Sequence, residues 1–212
     1  MINDFYPALV TNKFYHIYNR GNNRDNIFYT TDNYLYFLRK HDTYLSPFLE
    51  TYAYCLLPNH FHLLVRVRNE AEILQAAKAL KYMKLGKPIT AVDIIISETF
   101  RRFFMAYAKA INKQTGRVGS LFQKKFKRKL VDNQAYFTSL ILYIHANPQQ
   151  HGICEDYKTY PHSSYNRILI DKPSKLYKKE VLAWFNGTDE YAQFHKNNLQ
   201  DVKNREQFEI ED

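Results

Sequence analysis

Three short stretches of the 212-residue chain combine residue types that could do chemistry. The first is His60-Phe61-His62, within Leu57-Pro58-Asn59-His60-Phe61-His62-Leu63-Leu64-Val65. On a strand, residues two apart project from one face. His60 and His62 then stand side by side, while Phe61, Leu63 and Val65 pack on the other face. Two imidazoles on a rigid strand make half of a metal site. Without a third ligand they are two histidines on the solvent side of a hairpin. The second stretch holds Tyr143 and Asn147, four apart and so on one face of a helix. Asn147 offers a neutral carbonyl oxygen, and a mixed nitrogen and oxygen set suits Mg2+ or Mn2+. Tyr143 would stand one turn away, close to a phosphate bound on such an ion. A phenol with a pKa near 10 is a poor nucleophile at neutral pH. A divalent cation on the phosphate eases its attack, and the covalent phosphotyrosine keeps the bond energy for rejoining. The chain has 18 tyrosines, most of which must be packing residues, so residue type alone does not select Tyr143. His145 is two residues on and faces elsewhere.

The third stretch, Arg101 to Val131, has ten basic residues and no acidic one. The chain carries a net +9, yet residues 132–212 sum to −3, so residues 1–131 carry +12. Such asymmetry fits a polyanion partner, as well as a lysine-rich solvated surface. Lys125, Lys127 and Lys129 alternate on one face of a strand. Arg101, Arg102 and Lys109 lie on the helix before it, and Arg20 and Arg24 in a loop near the N-terminus. These eight are the expected phosphate contacts.

The elements that must position these groups can be read from periodicity. Phe14 to Asn19 is an aromatic, alternating strand, followed by a loop from Arg20 to Asn23. Thr31-Asp32 caps a helix to about Tyr44, with Leu35 and Leu38 on its buried side. Thr51 to Leu57 and His60 to Val67 form a hairpin about Pro58-Asn59, with the histidine pair outside the core. A helix from about Glu70 to Lys84 ends at Gly86 and Pro88. A longer one runs to about Asn112, with Phe100, Phe103, Phe104, Tyr107 and Ile111 on one apolar face. Gly116 to Ser120 is a turn, and Leu121 to Val131 a fourth strand. Asp132 caps a last helix that ends before Pro148. The order predicts an α+β fold with a ferredoxin-like antiparallel sheet and helices packed on it. Residues 1–170 form the domain, and 171–212 a helical, partly mobile tail with Gly187 between two short helices.

Composition bounds the class. At 45% hydrophobic and 16% aromatic residues the chain can bury a sizeable core. Cys55 and Cys154 give neither a disulfide framework nor zinc spacing, which fits a reduced, cytoplasmic protein. There is no signal-peptide pattern and no membrane-length apolar run, so no membrane partner is expected.

The chain resembles the single-tyrosine HUH transposases, and among them the REP-associated tyrosine transposases. The matching pieces occur in order: YHIYNRGNNRDNIF at 15–28, LLPNHFHLLV at 56–65 and FRRFFMAYAKAINKQTGRVGSLFQKKFKRKLV at 100–131. LYIHANPQQHGI at 142–153 and YPHSSY at 160–165 follow. The resemblance spans roughly residues 13–168 and implies a ferredoxin-like sheet and a divalent metal. It also implies cutting of one DNA strand at hairpins, with a 5′-phosphotyrosine formed and a 3′ hydroxyl freed. Carried over, His60 and His62 are the HUH histidines, Tyr143 the nucleophile and Asn147 the polar ligand. Related insertion-sequence transposases have glutamine at the Asn147 position. Relatives of both kinds, dimeric and acting alone, leave a homodimer open. Three other readings stand beside this one. A rolling-circle replication initiator shares the histidine pair. A domesticated copy would bind hairpin DNA without cutting. A metal-dependent hydrolase would need further ligands, which His16, His41, His151, His162 and His195 do not supply by any recognisable spacing.

Overall fold

The computed structural model describes residues 6–80 and 91–202. Four strands form one antiparallel sheet: β1 (Phe14–Arg20), β2 (Leu49–Leu57), β3 (His60–Val67) and β4 (Lys127–Val131). Their order across the sheet is β2-β3-β1-β4, the expected ferredoxin-like arrangement. Alternation sorts the strand residues onto two faces. Tyr15, Ile17, Phe61, Leu63 and Val65 point to one core, shared with α1 (Thr31–Tyr44), α2 (Glu70–Ala79) and α3 (Val92–Thr115). Tyr52, Leu64 and Val131 point to a second core beneath α4 (Gln134–Gln150).

Several boundaries differ from the sequence expectation, each for a physical reason. In α1 the buried side is Tyr34, Phe37 and His41, whereas Leu35 is 47% exposed and Leu38 half-buried. Phe37 decides the phase: its ring meets Phe61, Phe103 and Tyr107 at 4.9–5.2 Å. The fourth strand begins only at Lys127. Before it the pairing with β1 is reduced to a single bridge, Phe122 to Gly21, with Gln123 N donating to the Arg20 carbonyl and Asn22 N to the Leu121 carbonyl at 2.9 Å, while Phe122 and Phe126 turn their rings onto Phe104 and Phe100 at 4.9 and 4.4 Å. The cap of α4 is Asn133, whose side chain accepts from Tyr136 N at 2.8 Å, not Asp132. The helix continues through Pro148. A proline in the final turn forfeits one hydrogen bond, and the chain leaves the helix soon after at Gly152, with φ +66°. Asn147 therefore sits inside the helix, not at its end. The expected C-terminal end of α2 at Gly86 and Pro88 lies outside the described residues, as does the last dozen residues' expected mobility beyond Val202.

After α4, short helices α5 (Tyr165–Leu169), α6 (Lys178–Trp184), α7 (Thr188–Asn197) and α8 (Leu199–Val202) return over the second core. Val181, Phe185 and Tyr191 are buried there with Ile141, Ile144 and Tyr157. Gly187 separates α6 from α7 with φ +131°. No helix among the described residues is long and apolar enough to cross a membrane.

Candidate functional site

The antiparallel register builds the site row by row. Arg20 on β1 pairs with His60 on β3, which pairs with Leu57 on β2. In the next row Lys127, Tyr18, His62 and Cys55 run across the sheet. In the third, Lys129, His16 and Leu64 do so. Directly opposed residues share a face, so His16, Tyr18, His60, His62, Lys127 and Lys129 all look toward α4.

Helix α4 closes over them. Tyr143 presents its ring 5.3 Å from that of His62 and 6.1 Å from that of His16. One turn on, Asn147 Oδ1 lies 3.2 Å from His60 Nε2. The structure thus brings Tyr143, His60, His62 and Asn147 together. It does not leave the pair outside the core: His60 is 2% exposed and His62 is fully buried. The helix that carries Tyr143 covers the face that the hairpin alone would have left to solvent.

Burial sets the protonation state. Desolvation lowers the His60 pKa to about 3, and holds His62 well below 6.5. Both imidazoles are neutral near pH 7 and keep a lone pair for a ligand. His16 is fully buried, with its pKa lowered to about 3 by the same cause. Its Nε2 lies 2.8 Å from His62 Nδ1. His62 is thereby tied at Nδ1, while its Nε2 is buried with no hydrogen-bond partner. Such an orphaned nitrogen is costly unless something binds it. Two neutral imidazoles and an amide oxygen match the donor set of a divalent cation with open positions, and on that ground the residues fit one. Among the described residues no third His, Cys, Asp or Glu joins the pair in ligating geometry.

Residue-by-residue reasoning missed His16 and His151. The ring of exposed His151 lies 5.0 Å from that of His60. His16 was readable in principle, since pairing FYHIYN with HFHLLV places it on the histidine face. His151 needed the path of the chain beyond α4. His145 does face away from the site, into a buried group with Ser164 and His195.

The eight basic candidates divide. Arg20, Lys127 and Lys129 edge the tyrosine face, and exposed Arg24 sits in the turn Asn22–Arg24 nearby. Arg101, Arg102 and Lys109 lie on α3, on the other side of the sheet. Lys125 is not in β4; with Arg101 it lines a cleft of about 550 Å³ among Tyr6, Phe104, Phe122 and Phe126. Lys125, Lys127 and Lys129 are therefore not one stripe.

One sheet face thus presents a His-x-His pair to a tyrosine and a polar residue one helical turn apart. The chain is similar to REP-associated tyrosine transposases in sequence and in fold. It is 28% identical over 134 residues to a Haemophilus influenzae protein described as a REP-associated tyrosine transposase. That match covers 63% of this chain and 66% of the relative, so it spans just under two thirds of the relative's length. In fold it is similar to the solved structure of a REP-associated tyrosine transposase bound to a REP hairpin, with a TM-score of 0.55 at 15% identity. The superposition covers 79% of this chain and 86% of that one. No family model matches the chain.

Proposed function

We propose that this chain is a transposase-type endonuclease that cuts and rejoins single-stranded, hairpin-forming DNA through Tyr143. The observation that carries the reading is the meeting of Tyr143 and Asn147 with His62 and His60 across one sheet face. A divalent cation, Mg2+ or Mn2+, held by His60, His62 and Asn147 would polarise the scissile phosphate and offset the charge that develops on it. Arg20, Lys127 and Lys129 at the rim hold the DNA backbone beside it. The Tyr143 oxygen attacks phosphorus and the bond to the 3′ oxygen breaks. The phenol gives up its proton, and the leaving oxygen takes one up as a 3′ hydroxyl. The 5′-phosphotyrosine then waits for a 3′ hydroxyl to reverse the step, which conserves the bond energy. The solved neighbour, described as bound to a REP hairpin, supports hairpin DNA as the substrate class, and the relative's description supports a transposase.

One observation favours a second reading, a hairpin-binding protein that does not cut. Tyr143 is only 6% exposed, so little of the side chain faces solvent for a phosphate to meet. One experiment separates the two readings. Wild-type protein is incubated with end-labelled hairpin DNA and Mn2+, then denatured. A covalent protein–DNA adduct supports the transposase reading. Binding without adduct, over a range of hairpins and metals, supports the second.

A further inference from the structure

We infer that Asn59, held by the loop after β1, is a positioning residue that fixes the tautomer of His60. The inference rests on the proposed cation site. Its central claim can be tested without the metal.

The hydrogen bonds orient each group in turn. Asn59 Nδ2 donates to the Arg24 carbonyl at 3.3 Å. An amide turned the other way would set its oxygen against that carbonyl oxygen, so the contact fixes which atom is which. Asn59 Oδ1 then faces His60 Nδ1 at 2.6 Å. An oxygen acceptor at that distance requires the hydrogen on Nδ1. Neutral His60, with its proton on Nδ1, has a bare lone pair on Nε2. That nitrogen points at Asn147 Oδ1, 3.2 Å away. Two acceptors converging at this distance have no hydrogen between them. Two such acceptors would suit a divalent cation held between them. The alternative is that the Asn147 amide is turned, so that its Nδ2, which has no partner in the present orientation, donates to His60. Either arrangement needs His60 protonated on Nδ1.

The loop is shaped to hold this chain of contacts. Gly21 N donates to the Asn59 carbonyl at 2.8 Å, and Ile27 N and Phe28 N to the Pro58 carbonyl at 2.8 and 2.9 Å. A Cβ on Gly21 would come within 2.0 Å of the Asp25 carbonyl oxygen, so only glycine fits. Asn23 and Arg24 both take left-handed backbone, φ 54° and 60°. Non-glycine residues held there cost of order 1 kcal/mol or more each. Here they turn the Arg24 carbonyl onto Asn59. The RGNNRDN segment thus clamps the hairpin turn from which His60 emerges. Outer partners of this kind fix the ring and tautomer of a metal-ligating histidine.

The test uses the full chain and two variants, Asn59→Asp and Asn59→Ala. The first keeps an acceptor for Nδ1–H and replaces the Nδ2 donor to the Arg24 carbonyl with an oxygen; the second removes both. Nitrogen-15 NMR of the metal-free proteins reads the tautomer directly. His60 should be protonated on Nδ1 in wild type and in Asn59→Asp. In Asn59→Ala the Nε2–H form should appear, since it can donate to Asn147. A wild-type His60 protonated on Nε2, or an unchanged tautomer in Asn59→Ala, overturns the inference whatever the metal does. Calorimetric titration with Mn2+ is the second readout. Asn59→Ala should bind about 10- to 100-fold more weakly, and Asn59→Asp at least as tightly as wild type. Equal affinity of wild type and Asn59→Ala also overturns it. Wild type that binds no Mn2+ would instead sink the metal reading and leave the NMR result to decide the tautomer. Matching thermal midpoints for the three proteins exclude a simple loss of fold.

Discussion

At the scale of single residues, the choice among tyrosines is the sharpest question. Tyr107 and Tyr136 are the rivals that helix spacing suggests. Tyr107 drops out because its hydroxyl donates to the Ile27 carbonyl at 2.8 Å inside the first core. Tyr136 sits in the first turn of α4, about two turns from Tyr143, and burial raises its pKa to about 12. The residue that spatial position adds is Tyr18, which shares a row with His62 and lies 5.7 Å from it, ring to ring. Tyr143→Phe removes one oxygen and keeps the ring, so packing should change by well under about 1.5 kcal/mol. The expected protein folds, binds hairpin DNA as wild type does and forms no covalent adduct on denaturing gels. An adduct that persists in Tyr143→Phe would overturn the assignment and make Tyr18 the next residue to change. The double change His60→Ala with His62→Ala is a poorer probe, because both rings are core and their loss leaves a cavity under α4.

At the scale of elements, α4 works with two faces, and the second packs against the segment that follows Tyr143. His195 Nδ1 faces the Tyr191 carbonyl at 2.8 Å, so it carries the proton and His195 Nε2 accepts. His145 Nδ1 is then the donor to His195, at 3.0 Å, and its Nε2 accepts from the Ser164 hydroxyl at 2.8 Å. Ser164 Oγ accepts in turn from Tyr54 N at 2.9 Å. The order serine to histidine to histidine resembles a hydrolase relay, but Ser164, His145 and His195 are all fully buried, so no substrate reaches them. The relay ties β2, α4 and α7 together two residues from Tyr143. His195→Leu leaves the His145 Nδ1 proton without its partner, at a cost of about 1–3 kcal/mol. Tyr191 Oη, 3.2 Å from that nitrogen, can accept instead and pulls the value toward the lower end. Urea unfolding measures it, and amide exchange should quicken in α4 more than in β3. No change in either would deny the relay a stabilising role. Little of this was legible in the sequence. The hairpin and the aromatic stripe of α3 were, because each has one apolar face and a clear period. In α4 every residue from Ser139 to Pro148 is buried, so no period marks which side carries chemistry. The phase of α1 misled for a related reason: leucine and aromatic positions compete on one helix, and only the ring contacts of Phe37 decide between them.

At the scale of the whole molecule, charge is the property that acts at a distance. Arg101 and Arg102 share the carboxylate of Glu98, at 2.6 and 2.8 Å, which offsets part of their charge. Lys127 and Lys129 stand in the rows of Tyr18 and His16 on the tyrosine face. Charge removal at Lys127 and Lys129 should therefore weaken hairpin binding more than removal at Arg101 and Arg102. For every cation removed that neutralises a phosphate, the slope of log affinity against log salt should fall by about one. Equal losses of affinity from the two pairs would show that the α3 side is part of the footprint. Acid stability follows from the buried histidines. His16, His41, His60, His62, His145 and His195 are all buried, and burial lowers the pKa of each. For His41 and His195 the value falls to about 4, and for His16 and His60 to about 3. The unfolded chain titrates these groups near 6.5, so below that pH it binds protons that the folded chain refuses. The stability from their neutral burial is full above pH 6.5 and is lost as the pH falls toward the folded values. Each such histidine contributes a slope of about 1.4 kcal/mol per pH unit in that window. Carboxylates with ordinary values near 4 would leave the range from pH 7.5 to 5.5 nearly flat. Urea unfolding with chelator present, at pH 7.5, 6.5 and 5.5, should show a loss that steepens below 6.5. His195→Leu should flatten the curve by about one proton's worth. A wild-type curve level down to pH 5.5 would mean that the histidines are protonated in the folded protein and that the two-sided burial of α4 is wrong.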